Sequence, residues 1–107
     1  MAINVFKNVT HNITTDSVEI YTAPAGFSGI VLLAQVTNVT GSTETATVSL
    51  ISDSTETFLA YEYGIPGNDA AGVLTGKLVL ESGQTIAVSG SSNDTLQMVM
   101  SVLESQN

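Results

Sequence analysis

The sequence predicts an all-β chain, a single-domain antiparallel β-sandwich over residues 1–107, and three observations carry that expectation. Apolar residues recur with period two, Gly- and Ser-containing turns interrupt the chain at short intervals, and no ten-residue stretch holds a helical stripe. A chain of 107 residues fits one domain that hides about two-thirds of its extended surface.

Each element follows from the pattern in turn. Met1 to Lys7 alternates like a strand, giving a first strand near 2–9. Over 17–22, Val18 and Ile20 oppose Glu19 and Tyr21. The segment 28–39 is apolar on both faces before it begins to alternate, as in a central strand covered on both sides. Over 44–52, Ala46, Val48 and Leu50 oppose Thr45, Thr47 and Ser49. Strands near 56–63, 73–80 and 84–89 follow. Over 94–103, Leu96, Met98, Met100 and Val102 point one way and Gln97, Val99, Ser101 and Leu103 the other. The breaks are Ala23-Pro24-Ala25-Gly26, Thr40-Gly41-Ser42, Ser52-Asp53-Ser54, Ser82-Gly83 and Gly90-Ser91-Ser92-Asn93, with a longer loop over 64–72. Strands of this length and number joined by such turns make a sandwich, of which the jelly roll is one form.

Charge and composition exclude several functions. Charged residues are 11% of the chain, so Ser, Thr, Asn, Gln and Gly must supply most of the polar surface. That leaves wide neutral areas for contact with neighbouring chains. The formal charge is −8, with Lys7 and Lys77 the only cations. Nucleic acid and anionic membrane both require a basic footprint, and neither is expected as a partner. The longest apolar run, Ile30 to Ala34, is too short to span a bilayer, and no signal peptide is read at the N-terminus. Without cysteine there is no disulfide and no thiolate metal site.

Catalytic groups are sparse. His11 is the sole histidine and no Gly-x-Ser-x-Gly elbow accompanies it, so a Ser-His-Asp relay is not expected. One histidine cannot close a zinc site. The acids are scattered, and glycosidase chemistry needs two carboxyls about 5–10 Å apart across a cleft. Asn68-Asp69 and Asn93-Asp94 lie in small-residue loops, but each offers one carboxylate where calcium takes about six to eight oxygens. Gly72-Val73-Leu74-Thr75-Gly76-Lys77-Leu78 is one residue short of a phosphate loop and ends in Leu where a hydroxyl is needed. No cofactor and no metal is therefore expected, and the chain reads as not an enzyme. Tyr61 and Tyr63 are candidate interface residues, with ordinary core packing as the other reading. Val99 and Leu103, apolar on the outward side of the last strand, are the other interface candidates.

Two segments resemble small virion structural proteins of tailed bacteriophages. The first is Ile20-Tyr21-Thr22-Ala23-Pro24-Ala25-Gly26-Phe27 into a long strand, with Asn38-Val39-Thr40-Gly41-Ser42 behind it. The second, Ile65-Pro66-Gly67-Asn68-Asp69-Ala70-Ala71 through Thr75-Gly76-Lys77-Leu78-Val79-Leu80-Glu81-Ser82-Gly83-Gln84-Thr85-Ile86, is similar to virion proteins of marine cyanobacterial phages in particular. With Ser101-Val102-Leu103-Glu104 the resemblance covers most of the chain, and it involves turns and strand edges with no active site. It implies a virion protein assembled in the host cytoplasm, most simply a capsid decoration (cement) protein contacting the major capsid protein. A fibre, neck or baseplate component is the alternative placement. It also implies a homo-oligomer, with a homotrimer favoured. Apart from the resemblance, the sandwich with its Asn/Asp loops leaves a carbohydrate-binding adhesin module open.

Overall fold

The computed structural model describes residues 3–107, so the expected strand start at Ala2 lies outside the described residues. Nine strands are formed: β1 (Asn4–Asn12), β2 (Val18–Thr22), β3 (Phe27–Asn38), β4 (Glu44–Ser52), β5 (Thr55–Ile65), β6 (Ala70–Gly72), β7 (Leu78–Leu80), β8 (Thr85–Gly90) and β9 (Leu96–Gln106). They build two antiparallel sheets packed as a sandwich. One runs β1-β9-β3-β6, with β7 pairing β3 beyond β6's end; the other runs β2-β8-β4-β5. The chain crosses between sheets at every connection except the β4–β5 hairpin and the β6–β7 link.

The core is the set of inward parities. On β9, Leu96, Met98, Met100 and Val102 are all buried, and in the opposite sheet Val48, Ile86 and Val88 face them. Ile13, Ile65 and Leu80 close the ends of this layer without exposure. Beyond the expected boundaries, β1 continues to Asn12 and β9 to Gln106, because the two pair without a register break from Asn4↔Ser105 to Asn12↔Gln97.

Local chemistry sets the turns. Asp53 (φ 49°) and Ser54 (φ 68°) are both left-handed, and Ser52 pairs Thr55, so β4 and β5 are joined by a two-residue loop of the twist-matched type. Before β3, the Phe27 N–H donates to the Pro24 carbonyl at 3.0 Å, with Gly26 at φ +80° in the third turn position that needs it.

The expected single strand over 73–80 is not formed. A bulge falls between Val31 and Leu33, leaving Leu32 as the extra residue. β6 pairs Gln35–Thr37 and β7 pairs Gly29–Val31. Five residues (73–77) thus stand opposite three (32–34), and a straight ladder cannot accommodate the difference. The chain bows out there and returns. Part of the expected 64–72 loop is strand instead: Ile65 ends β5, and Ala70–Gly72 forms β6.

Candidate interaction surfaces

The outer face of the β1-β9-β3 sheet is assembled by register. Because Leu96, Met98, Met100, Val102 and Glu104 point inward, the intervening residues of β9 point out, and their ladder partners point out with them. At one level the pairs Phe6↔Leu103, Leu103↔Ile30 and Ile30↔Val79 set four apolar side chains in a row across β1, β9, β3 and β7. The end members are the open ones: Phe6 is 74% exposed and Val79 58%. Leu103 and Ile30, on the central strands, are half-buried between them. Next to the row the β3 bulge leaves Leu32 and Leu33 exposed in succession. A hollow of about 310 Å³ lies between Phe6, Lys7, Asn8, Leu32, Ser101 and Val102.

Val99 occupies a different environment on the same face. It is paired with Thr10 and Gln35. With Thr10, His11, Asn12, Thr37, Gln97 and Met98 it lines a hollow of about 360 Å³ that carries amides and hydroxyls alongside apolar carbon. His11 pairs with inward-facing Met98, and its Nε2 is buried without a hydrogen-bond partner. The structure therefore separates the two expected β9 residues, with Leu103 in the apolar row and Val99 among amides and hydroxyls.

Tyr61 and Tyr63 lie on β5, the edge of the opposite sheet. Two irregularities break this edge, because Ala46 pairs Tyr63, Val48 pairs Ala60, and Ser49 pairs Phe58. Glu62 takes φ +47° at the first of them, and its N–H donates to Thr47 Oγ1 at 3.0 Å. As a result Tyr61 and Tyr63 both border a groove of about 250 Å³, with Leu59 beside them on β5 and Val73 and Leu74 across from them. The Tyr61 ring meets Phe58 edge-on at 4.8 Å between centroids. The groove opens between the β5 edge and the bowed segment 73–77. The two tyrosines and the two β9 residues thus belong to separate surfaces.

An ionic cluster that the sequence reading did not single out ties the sheets together. Glu104, on the inward side of β9, is 4% exposed. The Tyr21 hydroxyl on β2 donates to its Oε2 at 2.6 Å, and Lys7 Nζ on β1 lies 3.0 Å from its Oε1. The tyrosine hydrogen bond, aided by Lys7, holds the Glu104 carboxyl below the usual carboxylate range against the opposing effect of burial. Burial and then the adjacent carboxylate push Tyr21 above the ordinary phenol range. Gly29, paired with Glu104 on β3, is what lets the Tyr21 ring through: a Cβ there would stand 3.0 Å from the tyrosine hydroxyl and 3.2 Å from Cε2. A signal was available in the sequence, since Glu104 continues the inward parity of Leu96 to Val102.

Elsewhere polar groups serve the fold. Asn38, 1% exposed, donates from Nδ2 to the carbonyls of Ser42 (2.7 Å) and Ile65 (2.9 Å). Its Oδ1 accepts from the N–H and hydroxyl of Thr40. The hydroxyls of Ser92 and Ser91 both donate to Glu44 Oε1, at 2.7 and 2.8 Å, and lower its proton affinity. Among the described residues no group of three or more His, Cys, Asp or Glu side chains is placed to hold a metal ion. No helix among them is long and apolar enough to cross a membrane.

No protein-family model and no curated protein matches the chain. Solved structures share its architecture. A chain from the disulfide-linked pili of Bacillus endospore appendages superposes with a TM-score of 0.58 at 13% identity, over 99% of this chain and 89% of that one. A chain from the acid-stable capsid of Helicobacter pylori bacteriophage KHP30 gives 0.55 at 12% identity, over 98% and 93%. At such identities the likeness is one of fold: this chain shares a two-sheet sandwich with proteins of a pilus and a phage capsid.

Proposed function

We propose that this chain is a non-enzymatic structural protein of a bacteriophage virion, placed first as a decoration protein on the outside of the capsid. The observation that carries the reading is the apolar row Phe6–Leu103–Ile30–Val79 crossing a sheet face whose outward strand residues include no charge. An exposed apolar band on a neutral face is costly in water and is relieved by protein contact. The strand orders β1-β9-β3-β6/β7 and β2-β8-β4-β5, with the chain alternating between sheets, are read as a jelly roll, an arrangement common in viral capsid domains. The likeness to a capsid chain supports the same placement. A disulfide-linked filament like the appendage pili is disfavoured, because the chain contains no cysteine.

Absence of enzymatic activity is part of the proposal. The two carboxyls with displaced proton affinity, Glu44 and Glu104, are both displaced downward, the wrong direction for a general acid near neutral pH. The partners are then other virion proteins, the major capsid protein first, together with further copies of the chain itself. The net charge of −8 keeps the molecule as a whole off the packaged DNA. The cyanobacterial-phage origin stays with this proposal as what the sequence resemblance implies, whereas the three copies that the resemblance also implies give way to the two-fold pairing argued below.

Immunogold labelling of purified particles tests the placement. Label on heads is the expected result, label on neck, baseplate or fibres moves the protein there, and absence from purified virions overturns the reading. A second reading, a carbohydrate-binding module, is favoured by one observation, the hollow to which Thr10, Asn12, Thr37 and Gln97 bring hydrogen-bonding groups. Among the described residues no Phe, Tyr or Trp lines it to stack on a sugar. A glycan array with and without calcium decides this point, and binding lost on Gln97→Ala would establish it.

A further inference from the structure

We infer that the outer face of the β1-β9-β3 sheet pairs with the same face of a second copy of this chain, through a two-fold axis running along the strands. The inference deepens the assembly role proposed above and rests on it, while making no use of the particle's identity.

Charge selects the occupant. Every copy carries −8, so two copies repel wherever acids face each other. The opposite sheet presents Glu19 and Glu56 along its outer face, since Glu19 pairs Ala87 and Glu56 pairs Ile51. On the β1-β9-β3 sheet, by contrast, no outward strand residue among the described residues is acidic or basic. Lys7, whose ammonium borders its hollow, is already neutralised by Glu104. A basic partner would find nothing to pair with there, whereas an equally acidic partner, of which a second copy is the simplest, meets no repulsion. Apolar centre and amide or hydroxyl surround also match the anatomy of a protein interface. Asn8, Ser101, Thr10 and Gln35 supply that surround beside the row.

Shape selects the symmetry. The row ends in a large side chain on one sheet edge, Phe6, and a smaller one on the other, Val79. A two-fold axis along the strands reverses the row, setting Phe6 of one copy against Val79 of the other and Leu103 against Ile30. Large then faces small, as close packing requires. The molecule measures 49 × 26 × 21 Å, so its broad face exceeds the roughly 800 Å² that each partner gives to a standard interface.

Light scattering of the purified chain over a dilution series tests the pairing. The expected mass is twice 11.1 kDa. The double variant Phe6→Asn, Val79→Asn should fall to a single chain, with the dissociation constant raised about 100-fold or more. Both positions are largely exposed, so circular dichroism should show an unchanged sandwich. The axis is read by mixing Phe6→Cys with Val79→Cys chains under mild oxidation, with no native cysteine to interfere. The mixed disulfide should dominate over both homodimers. A single-chain mass for the native protein, a three-chain mass, or a double variant that keeps the native mass overturns the inference. Failure of particle labelling with a doubled mass would instead sink only the virion placement.

Discussion

Tyr21→Phe removes one hydroxyl from a buried carboxylate and leaves the ring in place, so its effect isolates a single hydrogen bond. Glu104 is 4% exposed, and the lost bond is the shorter of its two contacts at 2.6 Å. A hydrogen bond to a charged group contributes about 1.5–3 kcal/mol, so a loss of about 2 kcal/mol is expected at pH 7. For a domain of this size that corresponds to a fall in Tm of roughly 10 °C. Lys7 is half-exposed, and water can take its place at Oε1, so Lys7→Met should cost about 1 kcal/mol or less. The sign of the pH dependence follows from the direction of the shift. Glu104 is depressed in the folded state, so its contribution is complete above the unfolded carboxylate pKa of about 4.3 and is lost as pH falls through the lower folded value. The gap between native and Tyr21→Phe proteins should therefore be full at neutral pH and close in acid. Urea denaturation along a pH series measures both quantities. A gap below about 0.5 kcal/mol at pH 7, a gap that persists in acid, or a larger loss from Lys7→Met would refute the reasoning.

Gly29→Ala should destabilise by about 1–3 kcal/mol by pressing on the Tyr21 ring, and the loss should vanish in a Tyr21→Ala background; a double-mutant cycle by urea melts checks this. Asn38→Ala should cost about 3 kcal/mol, because the Ile65 carbonyl and Thr40 N–H lose their partner in the interior; amide hydrogen exchange at Thr40 should accelerate with it. Gly67→Ala should be as severe or worse, since its Cβ would press into the Gly41 backbone where the Asn68 N–H donates to the Thr40 carbonyl, and the soluble yield and thermal melt report it.

The sandwich was legible because its strands obey parity. Leu96 to Val102 and Ala46 to Leu50 are inward in the fold as they are apolar in the sequence, and Asp53-Ser54 turns where small polar residues favour it. What parity cannot show is a change of parity. The bulge at Leu32 is set by two apolar residues that read as continuous strand, and it splits the expected 73–80 strand in two. The left-handed Glu62 is likewise invisible locally, although it decides how Tyr61 and Tyr63 come to the same groove. The apolar row is a property of register. Phe6 and Leu103 are 97 positions apart, and only the β1–β9 ladder brings them level. Leu103 could be singled out as outward and apolar, but its neighbours in the row could not.

The position of β9 has a consequence for how the molecule comes into being. Residues 96–106 lie between β1 and β3, so neither of those strands has its main partner until β9 has been made. Synthesis at about 5–20 residues per second leaves β1 waiting for several seconds with its ladder open. Closing it then joins Asn4 to Ser105, 101 positions apart, which places folding in the slow, milliseconds-to-seconds class of β-sandwiches. A nascent chain of this kind is most vulnerable just before β9 is made. Shortening it within β9 should abolish the whole β1-β9-β3 sheet instead of trimming an edge.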